Sequence, residues 1–585
     1  MEGWSSSTMN IFERKNPLLV LPLLCILLFA GIKAKALPYD YTASIECLEK
    51  PHKPQYGGGV IINPELNQGL KGWSVFGGAK VEHRELGGNK YVVAYSRNQP
   101  FDSVSQKLHL QKNKLYTFSA WTQVSDGNVP VYATFKTSSG TKFAGAIVAE
   151  SNCWSMLKGG LTVDASGPAE LYFESKNTSV EIWVDSISLQ PFTQQEWTSH
   201  QDQSIKKART AKLSIKAVDK QGNSLPNATI SIEQKAYSFP FGCAINNNIL
   251  TNIGYRNWFL SKGFRVTVFE NELKWYSIEK FQGQEDYSQA DQMVRFAKDN
   301  NIAVRGHNIV WDDPKYQMGW VSSLSPSDLL QATQKRVNSV VSRYKGQFIG
   351  WDVVNENLHF NFFESKLGRS ASRAIFNLAH NIDGATTFFM NEYNTIEESA
   401  DSQSSSAQYL QKLREIQIIG RNIKMGIGLE GHFSTPNIPY MRSSIDTLAA
   451  TGLPIWLTEI DIENSPQQAS YLEMVLREGY SHPKVNGIVM WAPWDPKGCY
   501  RMCLTDNNFR NLATGHVVDK LLYEWGGRKT LSAKTDAGGV FETSVPHGDY
   551  QVKLTHPTSL ASSLSRSINV VSTNSSEKTT LFLQI

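Results

Sequence analysis

Charge of one sign is scarce in this sequence: 58 Lys and Arg stand against 54 Asp and Glu, a net charge of +4 over 585 residues. So small a surplus gives no electrostatic footprint for nucleic acid, which needs Lys and Arg clustered on one face. Long hydrophobic runs are nearly absent too. The single candidate, PLLVLPLLCILLFAGI at 17–32, is shorter than the ~20 residues of a membrane-spanning helix, so no stable membrane partner is expected. Arg14 and Lys15 precede the run and Ala34-Lys35-Ala36 follows it, which reads as a secretory signal cleaved after Ala36. The other reading is an uncleaved N-terminal anchor. No phosphate-cradling glycine loop, dinucleotide fingerprint or H-E-x-x-H zinc motif occurs, so neither cofactor nor metal is expected.

Cysteine is also sparse, with six in the chain, of which Cys25 leaves with the signal. The remaining Cys47, Cys153, Cys243, Cys499 and Cys503 are odd in number, so at least one is unpaired in an oxidising compartment. Cys499 and Cys503 in GCYRMC are close enough to bridge if that stretch is a loop, and Cys243 sits in an apolar, strand-like run. Cys47 with Cys153 is then the pair left by elimination. Sequons at Asn177, Asn227 and Asn574 mark candidate glycosylation sites and suit a secreted, extracellular or cell-wall protein.

What is present is material for several folded domains, with 41% apolar and 11% aromatic residues. After a short leader at 37–56, the segment 57–192 carries alternating runs such as YVVAY, YTFSAW and AELYF between Gly, Asn and Ser turns, the pattern of a β-sandwich. The polar stretch 193–210 shows no apolar periodicity and reads as a linker. From 237 to 529 eight apolar runs alternate with amphipathic, helix-length stretches, the arithmetic of a (β/α)8 TIM barrel. The flanking pieces 211–236 and 530–585 are β-like and too short to bury a core alone. They read as one small split β domain with the barrel inserted in it, or else as two separate hairpins.

In such barrels, chemistry gathers at the C-terminal ends of the strands. Here those ends carry Glu270, Asn271, Glu272 and Lys274, then His307 and Trp311, then Asn355 and Glu356. Further along come Asn391, Glu392 and Tyr393, then Glu430 and His432, Glu459 and Asp461, and finally Trp491 and Trp494. Paired carboxylates ringed by aromatics suit cleavage of a glycosidic bond, where one group protonates the leaving oxygen and the other attacks the anomeric carbon or activates water.

The segments FENELKW (269–275), RGHNIVW (305–311), GWDVVNE (350–356), MNEYN (390–394) and WLTEID (456–461) resemble the signature segments of glycoside hydrolase family 10, the endo-β-1,4-xylanases. The resemblance covers about half of the chain and implies xylan as the partner. It implies Glu356 as general acid/base and Glu459 as nucleophile, oriented by His432 and Asp461. Asn355 would hold the sugar 2-hydroxyl, and His307, Trp311 and Trp491 would wall that subsite. Glu270, Asn271 and Lys274 would hold the next sugar toward the non-reducing end, with Tyr393 on the leaving-group side. GCYRMCLTDNNF and LEGHF resemble plant members in particular. Asp312 and Glu430 depart from the family's common His and Gln, and both are expected near the acceptor region. The segment 57–192 resembles a family 22 carbohydrate-binding module, with Trp121, Tyr172 and Glu174 as candidate groove residues. The resemblance implies hydrolysis, with two alternatives: transfer to a second xylan chain, or a non-catalytic wall-binding role.

Overall fold

The computed structural model describes residues 37–417, 423–526, 530–556, 563–571 and 578–585. The signal segment and Asn574 lie outside the described residues. Among the described residues no helix is long and apolar enough to cross a membrane.

The barrel is built from eight parallel strands: β1 (Phe241–Cys243), β2 (Val266–Val268), β3 (Ala303–Gly306), β4 (Gly350–Asp352), β5 (Thr387–Glu392), β6 (Met425–Leu429), β7 (Ile455–Ile462) and β8 (Val485–Met490). The ladder closes through the β1–β8 and β6–β7 pairings. Both faces of each strand are covered, which is why the strands read as continuous apolar runs rather than as alternation. The barrel interior holds Phe389, Trp456 and the Arg305–Asp352 ion pair at 2.6 Å. Glycine makes room for these rings: a Cβ at Gly350 would lie 2.5 Å from the Phe389 ring, and one at Gly487 2.5 Å from Trp456. Above the barrel, a short ladder joins Val310–Trp311 to Val354–Asn355, and His432–Phe433 runs beside the end of β7.

The N-terminal unit is a sandwich of two five-stranded sheets closed over one core that includes Phe118, Phe135, Leu171 and Phe173. Thr210–Val218 pairs with Val540–Pro546 and Thr579–Gln584, and Thr229–Tyr237 pairs with Thr530–Lys534 and Gly548–Thr555. The segments flanking the barrel thus share one core around Ile215, Ile230 and Val552. Disulfides join Cys47 to Cys153 and Cys499 to Cys503, and Cys243 is a buried thiol.

The stretch read as a linker is instead the helix Gln194–Arg209. Thr193 and Glu196 form a reciprocal capping box that starts it. Its buried face consists of Trp197, His200 and Gln201. Trp197 and Gln201 donate to Glu478 at 2.8 and 2.6 Å, so two of the three buried residues are held by a distant carboxylate, while His200 packs against the Tyr39 ring. The sandwich packs on the helices Ser406–Ile416 and Ile438–Ala449 of the barrel. Lys158 there meets Asp446 at 2.8 Å with both side chains buried.

Candidate active site

A cleft of about 670 Å³ opens over the C-terminal ends of the strands. Glu270, Asn271, Lys274, His307, Trp311, Glu356, Tyr393, His432, Glu459 and Trp491 all line it, together with Glu430. Asn355 and Asp461 lie just beneath, each 1% exposed. Most of the barrel residues nominated from the strand ends therefore converge on one place.

Glu356 sits at the turn after the Val354–Asn355 strand with φ of 58°, a left-handed conformation that costs a non-glycine residue roughly 1–3 kcal/mol. Its N–H donates to the Asn391 carbonyl at 3.0 Å, which helps to hold the turn. Side-chain amides then tie the two carboxylates together. Asn355 Nδ2 donates to Glu356 Oε1 at 3.1 Å, and Asn391 Nδ2 lies 3.0 Å from Asn355 Oδ1, Glu430 Oε1 and Glu459 Oε1 alike. Thr458 fixes the Asn391 amide by donating to its Oδ1 at 2.6 Å. Two histidines flank Glu459: His307 Nδ1 at 3.7 Å and His432 Nε2 at 3.8 Å. Asp352 holds His307 at 3.0 Å, and Asp461 lies 3.0 Å from His432 Nδ1.

Burial, then the charges of Glu392 and Glu459, pushes the Glu356 carboxyl up to about 8. Glu356 therefore carries a proton at neutral pH. Glu430 is held well above the carboxylate range by burial and by Glu459 and Glu356. Burial disfavours a charged His432, but Asp461 and Glu430 outweigh it and hold the imidazole well above its ordinary value. Glu270 is raised to about 8 by burial and Glu272. Lys274 is lowered by burial, although Glu459, Glu356, Glu430 and Glu270 all face it, and its Nζ stands 4.5 Å from the Trp311 ring centre. Trp311 is stacked on Tyr316 at 3.9 Å, forming a rigid aromatic wall.

Glu430, His432 and Glu459 present ligand atoms within 4.8 Å of one another. The Asn391 amide donates to one oxygen of each carboxylate at 3.0 Å, and His432 Nε2 lies 3.3 Å from the other oxygen of Glu430 and 3.8 Å from that of Glu459.

Several placements differ from expectation. Asp312 does not face the cleft. It is fully buried, accepts from the Phe363 N–H at 2.9 Å and is raised to about 7 by burial. Successive residues of a strand point to opposite sides, so Trp311 turns to the cleft and Asp312 away from it. Trp494 is core, packed on Tyr255 and Phe509. Trp121 is 2% exposed, packed with Trp154 and Met156 and near His52 of the leader, so it offers no free face to a ligand. Tyr172 is buried face to face against Phe76 at 4.0 Å, with Glu174 half-buried beside it. Asn177 and Asn227 are exposed.

Four positions escaped the sequence reading as site residues. Asn391 was visible as a strand end, but not as the hub of the amide network. Asp352 precedes the motif's acid by four positions and acts through His307. Arg501 donates to Asp461 at 2.8 Å and to the Phe433 carbonyl at 2.8 Å, from within the Cys499–Cys503 loop. His359 bridges Glu392 at 2.7 Å and Asp401 at 2.8 Å while stacking on Tyr393 at 3.8 Å. Those two carboxylates outweigh the effect of burial and raise His359 to about 9.

Residues 231–508 match the model of glycosyl hydrolase family 10, and residues 58–180 match that of a carbohydrate binding domain. Endo-1,4-beta-xylanase 5 of Arabidopsis thaliana is 44% identical over 464 residues, 78% of this chain and 81% of that protein. Endo-1,4-beta-xylanase 4 of the same plant is 38% identical over 559 residues, 92% of this chain and 93% of that protein. The solved CBM22-1-GH10 modules of Clostridium thermocellum endo-1,4-beta-D-xylanase 10B, complexed with xylohexaose, are 15% identical. That match covers 77% of this chain and 95% of that one, with a TM-score of 0.42.

Proposed function

The chain belongs to glycosyl hydrolase family 10, and from that premise we propose that it is a secreted, retaining endo-1,4-beta-xylanase acting on xylan of the plant cell wall. One observation carries the reading: Glu356, whose carboxyl is pushed up by burial, is linked through Asn355 and Asn391 to Glu459 in an aromatic-walled cleft.

In the first half-reaction Glu459 attacks the anomeric carbon while Glu356 gives its proton to the departing glycosidic oxygen, leaving a glycosyl ester on Glu459. Ester formation removes the Glu459 charge that helped hold the proton on Glu356, so Glu356 becomes a competent base. It then takes a proton from water, the water oxygen bonds to the anomeric carbon, and Glu459 leaves as carboxylate. In this reading Asn355 holds the 2-hydroxyl of the sugar at that carbon. Lys274, Asn271 and Glu270 lie on the strand-two side for the next sugar, and Tyr393 takes the leaving group. The two disulfides and the exposed Asn177 and Asn227 support an exported protein.

The test is product analysis of glucuronoxylan, arabinoxylan and a soluble β-1,4-glucan with wild type and Glu459→Gln. Short xylo-oligosaccharides from the xylans alone, lost in the variant, are expected. Products longer than a starting oligosaccharide would instead indicate transfer. Binding without release above the variant's background would overturn the enzymatic reading.

A further inference from the structure

The sandwich meets the barrel close to the cleft. On the outer face of one sandwich sheet, Tyr132 stands beside Glu174 and reaches the Ser402 side chain of the barrel loop that follows β5. The adjacent Asp401 accepts from His359 at 2.8 Å, and His359 lies flat on Tyr393, which lines the cleft with Glu356. On the barrel side of this contact lies a cavity of about 400 Å³ whose lining includes His359, Ser402, Gln403, Gln408 and Gln411. A second cavity, of about 360 Å³, shares Gln408 and Gln411 and adds Asn128 and Pro130 of the sandwich. Amides and hydroxyls at this density suit a ligand rich in hydroxyls, and Phe101 and Phe143 extend the face with rings suited to sugar stacking.

We propose that the outer face of the sandwich and the Tyr393 side of the cleft form one continuous carbohydrate surface, joined at Ser402, along which a single β-1,4-linked xylan chain lies across both units. The inference rests on the xylanase reading above and adds the route taken by the leaving-group half of the substrate. A sandwich that bound xylan independently would need no contact with the loop that supports Tyr393. Here the half-buried Tyr132 makes that contact, and Lys158, clamped on Asp446, holds the two units in fixed register. Fixed register favours one ligand spanning both sites, because binding at the second site becomes intramolecular.

The experiment uses full-length Glu459→Gln protein with a soluble xylotetraose and a xylodecaose, titrated by calorimetry. One decasaccharide per protein is expected, bound at least tenfold more tightly than the tetrasaccharide. Tyr132→Ala and, from the barrel side, Ser402→Trp should each cut the ratio of the two affinities about tenfold. Ser402→Trp leaves the sandwich core untouched, so a folding defect in Tyr132→Ala does not spare the proposal. Two decasaccharides per protein, or a ratio that neither variant changes, would overturn it. Turnover by the unmutated protein separates the two failures: if neither oligosaccharide is cleaved, the xylanase reading fails. If both are cleaved while the affinity ratio ignores both variants, only the continuous surface fails.

Discussion

Replacing Lys158 with Met removes the cation of the ion pair that clamps sandwich to barrel. Its Nζ lies 2.8 Å from Asp446 Oδ2 and also donates to the carbonyls of Asp40 and Thr42 at 2.9 and 3.0 Å. At an effective dielectric of about 20 the gross attraction at that distance is about 6 kcal/mol. Burial alone would raise Asp446, yet Lys158 and His482 outweigh it and hold the carboxyl down at about 2, a shift worth about 2 kcal/mol at neutral pH. Stranding one member of a buried pair costs about 3–5 kcal/mol. Tyr39 Oη at 2.6 Å and His482 Nε2 at 3.0 Å remain beside Asp446, so a loss near 3 kcal/mol is expected. Urea denaturation at several pH values is the assay. Asp446 has a depressed folded value, so its contribution is present above its ordinary range and is lost as pH falls through about 2. The gap between wild type and Lys158→Met is therefore largest at neutral pH and narrows on acidification. Adding Asp446→Asn should recover part of the loss. A variant within about 0.5 kcal/mol of wild type at pH 7, or a gap independent of pH, would refute the clamp.

Other expectations concern the cleft. Glu356 must act as an acid, so kcat/KM is expected to hold up to pH about 8 and to fall as pH rises through that value, measured as a pH–rate profile on a soluble xylo-oligosaccharide. Arg501→Ala frees Asp461 and His432 beside the nucleophile. It should lower kcat roughly 10–100-fold with little change in KM, since small misplacements at a reacting centre are costly. Asn391→Ala leaves the buried Glu430 and Glu459 short of a donor. A loss of about 1–3 kcal/mol in stability, read by thermal melting, should accompany a fall in kcat.

The barrel and its acidic rim were legible because their signals are local: parallel strands buried on both faces read as apolar runs, and polar residues at their ends stand out. The helix Gln194–Arg209 was not legible as a helix, although its capping box was written in TQQE. Two of its three buried residues are polar, and the Glu478 that accepts from Trp197 and Gln201 lies far along the chain. Arg501 was hidden in the same way, inside a cysteine loop where its partner Asp461 could not be read. Asp312 was misplaced because adjacency to Trp311 in sequence means the opposite side in an extended segment. Asn391 shows the finer limit: its residue type marked a polar strand end, but only the fold brings it within 3.0 Å of four side chains at once.

The central claim is that Glu459 carries the sugar and Glu356 moves the proton. A fluorinated xylobioside bearing a good leaving group would trap the glycosyl ester, and mass spectrometry of the digested protein would locate it. The account predicts a single label on the peptide at Glu459, with the ester still forming in Glu356→Ala because that leaving group needs no proton. A label on the neighbouring Glu430, or no covalent adduct during turnover, would contradict it.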